Sequence, residues 1–192
     1  ILELRSRIIW MVVAFVIAVI GCYAVHMHIL KLLIKPYAVA KALYEEQKLV
    51  AHPGPFDLIL ILAGQKHIDH IPEVPLIATA PMEVFFTYLR LAMFGGIIVS
   101  FPFMAYHLYR FVAPGLYRRE RLAFLPFLVA APVLFVLGMA LVYYIILPMV
   151  LWFSLSQQGD MVQFMPKVSE FLQLVETLMI AFGLCFQLPV VI

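Results

Sequence analysis

Two glutamates stand among arginines at the edges of long apolar runs: Glu3 beside Arg5 and Arg7, and Glu120 between Arg119 and Arg121. A carboxylate so placed can pair with neighbouring arginines and merely neutralise the segment, an interaction worth little where it is exposed. It can instead recognise a cationic ligand, accepting the paired hydrogen bonds of a guanidinium, a fork geometry that lysine reproduces poorly. The residues alone leave both uses open.

A second group of polar side chains lies inside an apolar run near the end of the chain, where Glu176 and Gln187 are eleven residues apart. At 3.6 residues per turn that is about three turns, so an unbroken helix would set them on nearly one face. Left unpaired in hydrocarbon, each costs about 1 to 3 kcal/mol. The partner is either a neighbouring helix of this chain or a polar residue on a partner's membrane helix. Tyr143, within the preceding apolar run, joins them as a candidate polar contact.

Other chemistry finds less support. His67, Asp69 and His70 include an i, i+3 histidine pair, but no third ligand is identifiable, and a solvated polar segment explains them better than a metal site. His26 and His28 point to different faces of a helix and suit a headgroup region. Cys22 and Cys185 both lie in apolar runs, where a thiol packs as a small hydrophobe, and no disulfide is expected between them. No H-E-x-x-H, G-x-S-x-G or Walker loop occurs, so neither enzyme activity, metal nor cofactor is expected. A formal net charge of +2 with dispersed basic residues argues against a nucleic-acid partner.

The elements that must position these residues follow from composition. Of 192 residues 65% are hydrophobic and 12% charged, against about a quarter charged in an ordinary soluble domain. The fold class is therefore all-α, a polytopic helical membrane protein. Spans are expected at about 8–30, 84–109, 122–147 and 171–192, with Pro148 marking the exit of the third. Residues 31–80, rich in lysines, acids and prolines, read as an extramembranous loop with a short surface helix over 38–50. Within it, 58–63 is either a strand or an interfacial piece. Gly95, Gly96 and Ser100 suit close helix packing. Arg110, Arg118, Arg119 and Arg121 make the connection 110–121 cytoplasmic by the positive-inside rule, and two crossings then put the N-terminus on the same side. The chain starts without Met and stops within an apolar run, which reads as a fragment at both ends.

The motifs resemble a known family. The opening Leu2-Glu3-Leu4-Arg5-Ser6-Arg7 is similar to the L-x-E-L-R-x-R start of TatC proteins, receptor subunits of the twin-arginine translocase. Glu83, Phe85, Phe86, Arg90, Pro102 and Tyr106 lead into Phe111-Val112-Ala113-Pro114-Gly115-Leu116-Tyr117 and Glu120-Arg121, which resembles the family's F-[IV]-x-P-[GA]-L-Y-x-x-E-[RK] signature. Gly138-Met139-Ala140 with Tyr143 and Pro148, then Phe182-Gly183-Leu184-Cys185-Phe186-Gln187-Leu188-Pro189, continue the pattern in order. The likeness covers 1–37 and 76–192. Two departures are noted: residues 38–75 exceed the family loop, and Gln187 stands where many members carry Glu.

The resemblance implies a receptor that binds the paired arginines of signal peptides on folded cargo, with export driven by the proton-motive force. It implies Glu3 and Glu120 as the recognising acids, Arg5, Phe111, Pro114, Leu116 and Tyr117 shaping that site, and Pro36 in the periplasmic loop. TatA- and TatB-type single-span subunits, twin-arginine signal peptides and membrane lipid are the implied partners, in an oligomer. Gln187, Glu176 and Tyr143 are the intramembrane contacts. Four of the family's six transmembrane helices are expected here, in a bacterial inner membrane ahead of thylakoid or mitochondrial ones. The alternative is an accessory or ion-conducting subunit of a respiratory membrane complex, which would carry ionisable residues in several spans; a purely structural membrane scaffold is a third reading.

Overall fold

A computed structural model describes the backbone of residues 2–47, 55–63, 76–112, 118–157 and 166–191, and the side chains of most of them. The helices are α1 (Leu2–Ala24), α2 (His26–Gln47), α3 (Pro55–Leu62), α4 (Glu83–Val112), α5 (Arg118–Leu141), α6 (Leu147–Ser156), α7 (Val168–Cys185) and α8 (Leu188–Val191). A π-turn, Val142–Ile146, joins α5 to α6 in one continuous rod. Four stretches are long and apolar enough to cross a bilayer: Arg5–Ala24, Glu83–Arg110, Leu128–Ser156 and Val168–Cys185. The chain is a polytopic helical membrane protein.

The first span is shorter than composition predicts. A single turn residue, Val25, separates α1 from α2, and α2 runs on through the segment expected as loop. The reason lies in its buried side: Leu33, Pro36, Tyr37, Val39 and Ala40 are each at most 2% exposed. The segment is helical where a loop was expected, and α2 is not among the stretches long and apolar enough to cross a bilayer. Pro36 is tolerated inside the helix because a side chain from elsewhere takes over the bond that its ring removes, as described below. Residues 58–63, open between strand and interfacial piece, fall in and just after α3, which runs from Pro55 to Leu62.

The third span also differs. Pro148 was expected to end it, yet the helix continues to Ser156. Proline lacks an N–H and its ring presses on the carbonyl four residues back. The π-turn widens the helix just before it, and the Leu147 N–H bonds five residues back to the Val142 carbonyl. Proline is thus accommodated at the start of α6 with its side chain buried. At the other end of the rod the expected connection 110–121 is mostly helical: α4 reaches Val112 and α5 begins at Arg118.

Core and crossings divide the bundle in two. The main core joins α2, α3, α4, the α5–α6 rod and α7 through residues such as Leu91, Phe135, Val142, Leu147, Leu172 and Val175. The α5–α7 crossing is glycine-made. A Cβ on Gly138 would lie 2.8 Å from the Phe182 carbonyl oxygen, and one on Gly183 would lie 2.7 Å from the Phe135 ring. Phe135 in turn stacks on Phe101 of α4 at 4.1 Å. By contrast α1 stands outside this core, with 6% of its span buried, and leans on α4. There a Cβ on Gly96 would approach Val19 Cγ2 to 2.5 Å, and one on Gly95 would meet Cys22 Sγ at 3.0 Å. Small residues let two backbones come together in this way.

The starts of α4 and α7 are tied to each other. Val168 N–H donates to the Ile77 carbonyl at 3.1 Å. The Glu83 carboxylate accepts the Thr79 N–H at 2.7 Å, the Thr79 hydroxyl at 2.9 Å and the Ala80 N–H at 3.1 Å. Its second oxygen accepts the Ser169 hydroxyl. A carboxylate in the first turn also suits the helix dipole.

Candidate functional site

The candidate recognition acids fall at one end of the bundle. Glu3 is the second residue of α1 and Glu120 the third of α5, so both backbones are in the first turn of a helix, where negative charge is favoured. Both positions lie at the end where α4 finishes with Arg110. The Glu3, Glu120 and Phe111 side chains, and all of Pro114, Leu116 and Tyr117, lie outside the described residues; Phe111 is placed by backbone in the last turn of α4. Arg5 is exposed on the first turns of α1. Between α1 and α4, one turn further in, a cavity of about 510 Å³ is lined by Ser6, Arg7, Trp10, Phe103, His107 and Arg110. His67, Asp69 and His70 are likewise outside the described residues.

The intramembrane polar residues are all engaged within the chain. Glu176, 3% exposed, takes Arg90 Nε of α4 on Oε2 at 2.9 Å. Its other oxygen, Oε1, is buried without a hydrogen-bond partner. Arg90 stands seven residues into α4 and Glu176 eight into α7, so two helices that start together carry the pair at one depth. A buried carboxylate of this kind holds its position only beside a compensating cation. Arg90 was visible as an ionisable residue in an apolar run, but its partner was not, since the two are 86 positions apart in the chain.

Gln187 is elsewhere. The fourth span was expected to run unbroken to 192 with Glu176 and Gln187 on nearly one face. Instead α7 ends at Cys185, and Phe186 and Gln187 turn before α8. Pro189 accounts for the break, because it cannot donate back to Cys185 and disfavours helical geometry in the residue before it. The turn swings Gln187 toward α5, where Nε2 donates to the Ala131 carbonyl at 2.7 Å. Glu176 and Gln187 therefore serve different neighbours, α4 and α5.

Tyr143 and Pro36 are brought together. Tyr143, buried in the π-turn, donates its hydroxyl to the Leu32 carbonyl of α2 at 2.8 Å. Leu32 is four residues before Pro36, so its carbonyl is the one that the proline ring deprives of an N–H donor. Sequence reading saw each residue separately and missed the bond.

Comparison with known proteins fixes the family. The family model for TatC, the Sec-independent protein translocase protein, matches residues 1–192. The chain belongs to the TatC family. A Sec-independent protein translocase protein TatC from Magnetococcus marinus is 35% identical over 189 residues, covering 98% of this chain and 59% of its own length. The TatC of Rickettsia prowazekii is 33% identical over 197 residues, covering 100% of this chain and 66% of its own. That of Escherichia coli K12 is 35% identical over 126 residues, 65% of this chain and 49% of its own. The chain thus spans roughly three fifths of the Magnetococcus TatC. Two crystal structures of the twin-arginine translocase receptor TatC superpose with TM-scores of 0.71 and 0.72 at 28% identity, each covering 98% of this chain. They cover 71% and 72% of those receptors.

Proposed function

We propose that this TatC-family chain is the signal-peptide receptor part of a twin-arginine translocase. The observation that carries this reading is the placement of Glu3 and Glu120 in helix first turns at one arginine-rich end of a chain matched along its whole length by the TatC model. Two carboxylates at a membrane boundary suit a pair of guanidinium groups, each accepting a fork of hydrogen bonds. Arg5, Phe111, Pro114, Leu116 and Tyr117 shape the site around them. The arginine-rich end, N-terminus included, faces the cytoplasm of a bacterial inner membrane. Transport draws on the proton-motive force, and the chain performs no bond chemistry of its own.

TatA- and TatB-type single-span subunits are the proposed partners, in an oligomer, along the face where α7 and α8 meet α5. Tyr143, Glu176 and Gln187 serve that face by holding α2, α4 and α5 in place, since each is bonded to a neighbouring helix of this chain.

The test is site-specific crosslinking of a signal peptide to the Glu3 and Glu120 region of the full-length protein. Arg-Arg and Lys-Lys peptides are compared in wild type and Glu120→Ala. Crosslinks that require Arg-Arg and vanish on substitution support the receptor reading. Equal labelling by both peptides in both proteins overturns it.

A further inference from the structure

The cavity between α1 and α4 is unlike the proposed signal-peptide site in charge. Among the described residues its lining side chains are Ser6, Arg7, Trp10, Phe103, His107 and Arg110, and none of these is acidic. A ligand carrying paired arginines would meet Arg7 and Arg110, so the cavity suits an anion. From these residues we infer that it is a headgroup site for an anionic phospholipid, with the phosphate between Arg7 and Arg110.

Position within the bilayer supports a lipid. The α1–α4 crossing is at Val19 and Gly96. Arg7 is twelve residues along α1 from that crossing and His107 eleven along α4, about 18 and 17 Å at 1.5 Å per residue. Both helices span the membrane, so the cavity lies at the headgroup level of the arginine-rich end. Trp10, 60% exposed, is the residue type that sits at such an interface. Phe103, Met104 and Leu108 are exposed on α4 at the same level and offer an apolar wall to acyl chains. Basic pockets between membrane helices bind anionic headgroups by this combination.

The polar groups are arranged to receive a phosphate. Two guanidiniums supply paired donors, and the Ser6 hydroxyl supplies another. His107 holds its ring by Nδ1, 3.2 Å from the Phe103 carbonyl. Phe103 packs against the imidazole at 4.1 Å and fixes its plane.

This inference needs only that α1 and α4 cross the membrane and stands apart from the receptor reading. The test uses the full-length protein, delipidated in detergent and titrated with phosphatidylglycerol or phosphatidylcholine, with bound lipid counted by native mass spectrometry. Phosphatidylglycerol is expected to bind about tenfold more tightly than phosphatidylcholine, and Arg7→Gln or Arg110→Gln to remove that preference. Lys167→Gln, the same charge change at the opposite end, leaves it intact. Arg110→Gln alters an exposed side chain and gives a reading even where Arg7→Gln unfolds. Equal binding of the two lipids, or an Arg110→Gln protein that behaves as wild type, overturns the inference. So does displacement of the lipid by inorganic phosphate, which assigns the cavity to a soluble anion. Signal-peptide binding lost in Arg110→Gln with lipid binding unchanged assigns it to the peptide and overturns the inference as well.

Discussion

Tyr143 and Pro36 form a matched pair through the Leu32 carbonyl: the proline takes away that carbonyl's helical donor, and the tyrosine hydroxyl supplies another at 2.8 Å. The bond ties α2 to the π-turn of the long rod. Tyr143→Phe takes that donor away, at a cost of about 1 kcal/mol in denaturant unfolding in detergent. In a Pro36→Ala background a main-chain N–H returns at position 36, and the same substitution is expected to cost less than half as much. Equal costs in the two backgrounds would show that the hydroxyl and the proline are unrelated.

The charge pair between α4 and α7 predicts a coupling. Arg90→Met strands the buried Glu176 carboxylate and Glu176→Leu strands an arginine within a membrane span, so each is expected to cost about 3 kcal/mol. The double substitution should be more stable than Arg90→Met alone. Thermal unfolding of the three variants decides this, and a double variant no better than Arg90→Met counts against the pairing.

Two glycines near the α1–α4 crossing make opposite predictions. A Cβ at Gly96 meets Val19 Cγ2 at 2.5 Å, while one at Gly21 meets nothing within 4 Å. Gly96→Ala is expected to cost about 1 to 3 kcal/mol by forcing the helices apart. Gly21→Ala should be neutral or slightly stabilising, since alanine is the better helix former. Melting temperatures that move together for both variants would refute the crossing.

Gln187→Leu removes the donor to Ala131 and is expected to lower stability by about 1 kcal/mol. Crosslinking to single-span partners should then be unchanged. A loss of crosslinks with unaltered melting would place the role of Gln187 at the partner instead.

What was legible in the sequence was what repeats locally. Apolar runs such as Leu122–Leu155 announce membrane helices, and the Phe111–Tyr117 motif announces the TatC family, because length, hydropathy and short spacing carry both signals. What failed depended on compensation from a distance. Pro148 looks like a stop, yet a π-turn lets it stand inside the rod, and Pro36, expected in a loop, stands inside α2 with Tyr143 bonded to the carbonyl that it deprives. Pro189, with no such help, does end α7 ahead of it, and so Gln187 parted from the face of Glu176. The Arg90 partner of Glu176 was hidden because a salt bridge between helices has no sequence period.

The seating of α1 has a mechanical consequence. With 6% of its span buried, α1 rests on α4 along its length, from the Val19–Gly96 approach to the wall that Ser6, Arg7 and Trp10 share with Phe103, His107 and Arg110. A force applied to α1 at the arginine-rich end is therefore passed to α4, and through the stacked rings of Phe101 and Phe135 it reaches the α5–α6 rod.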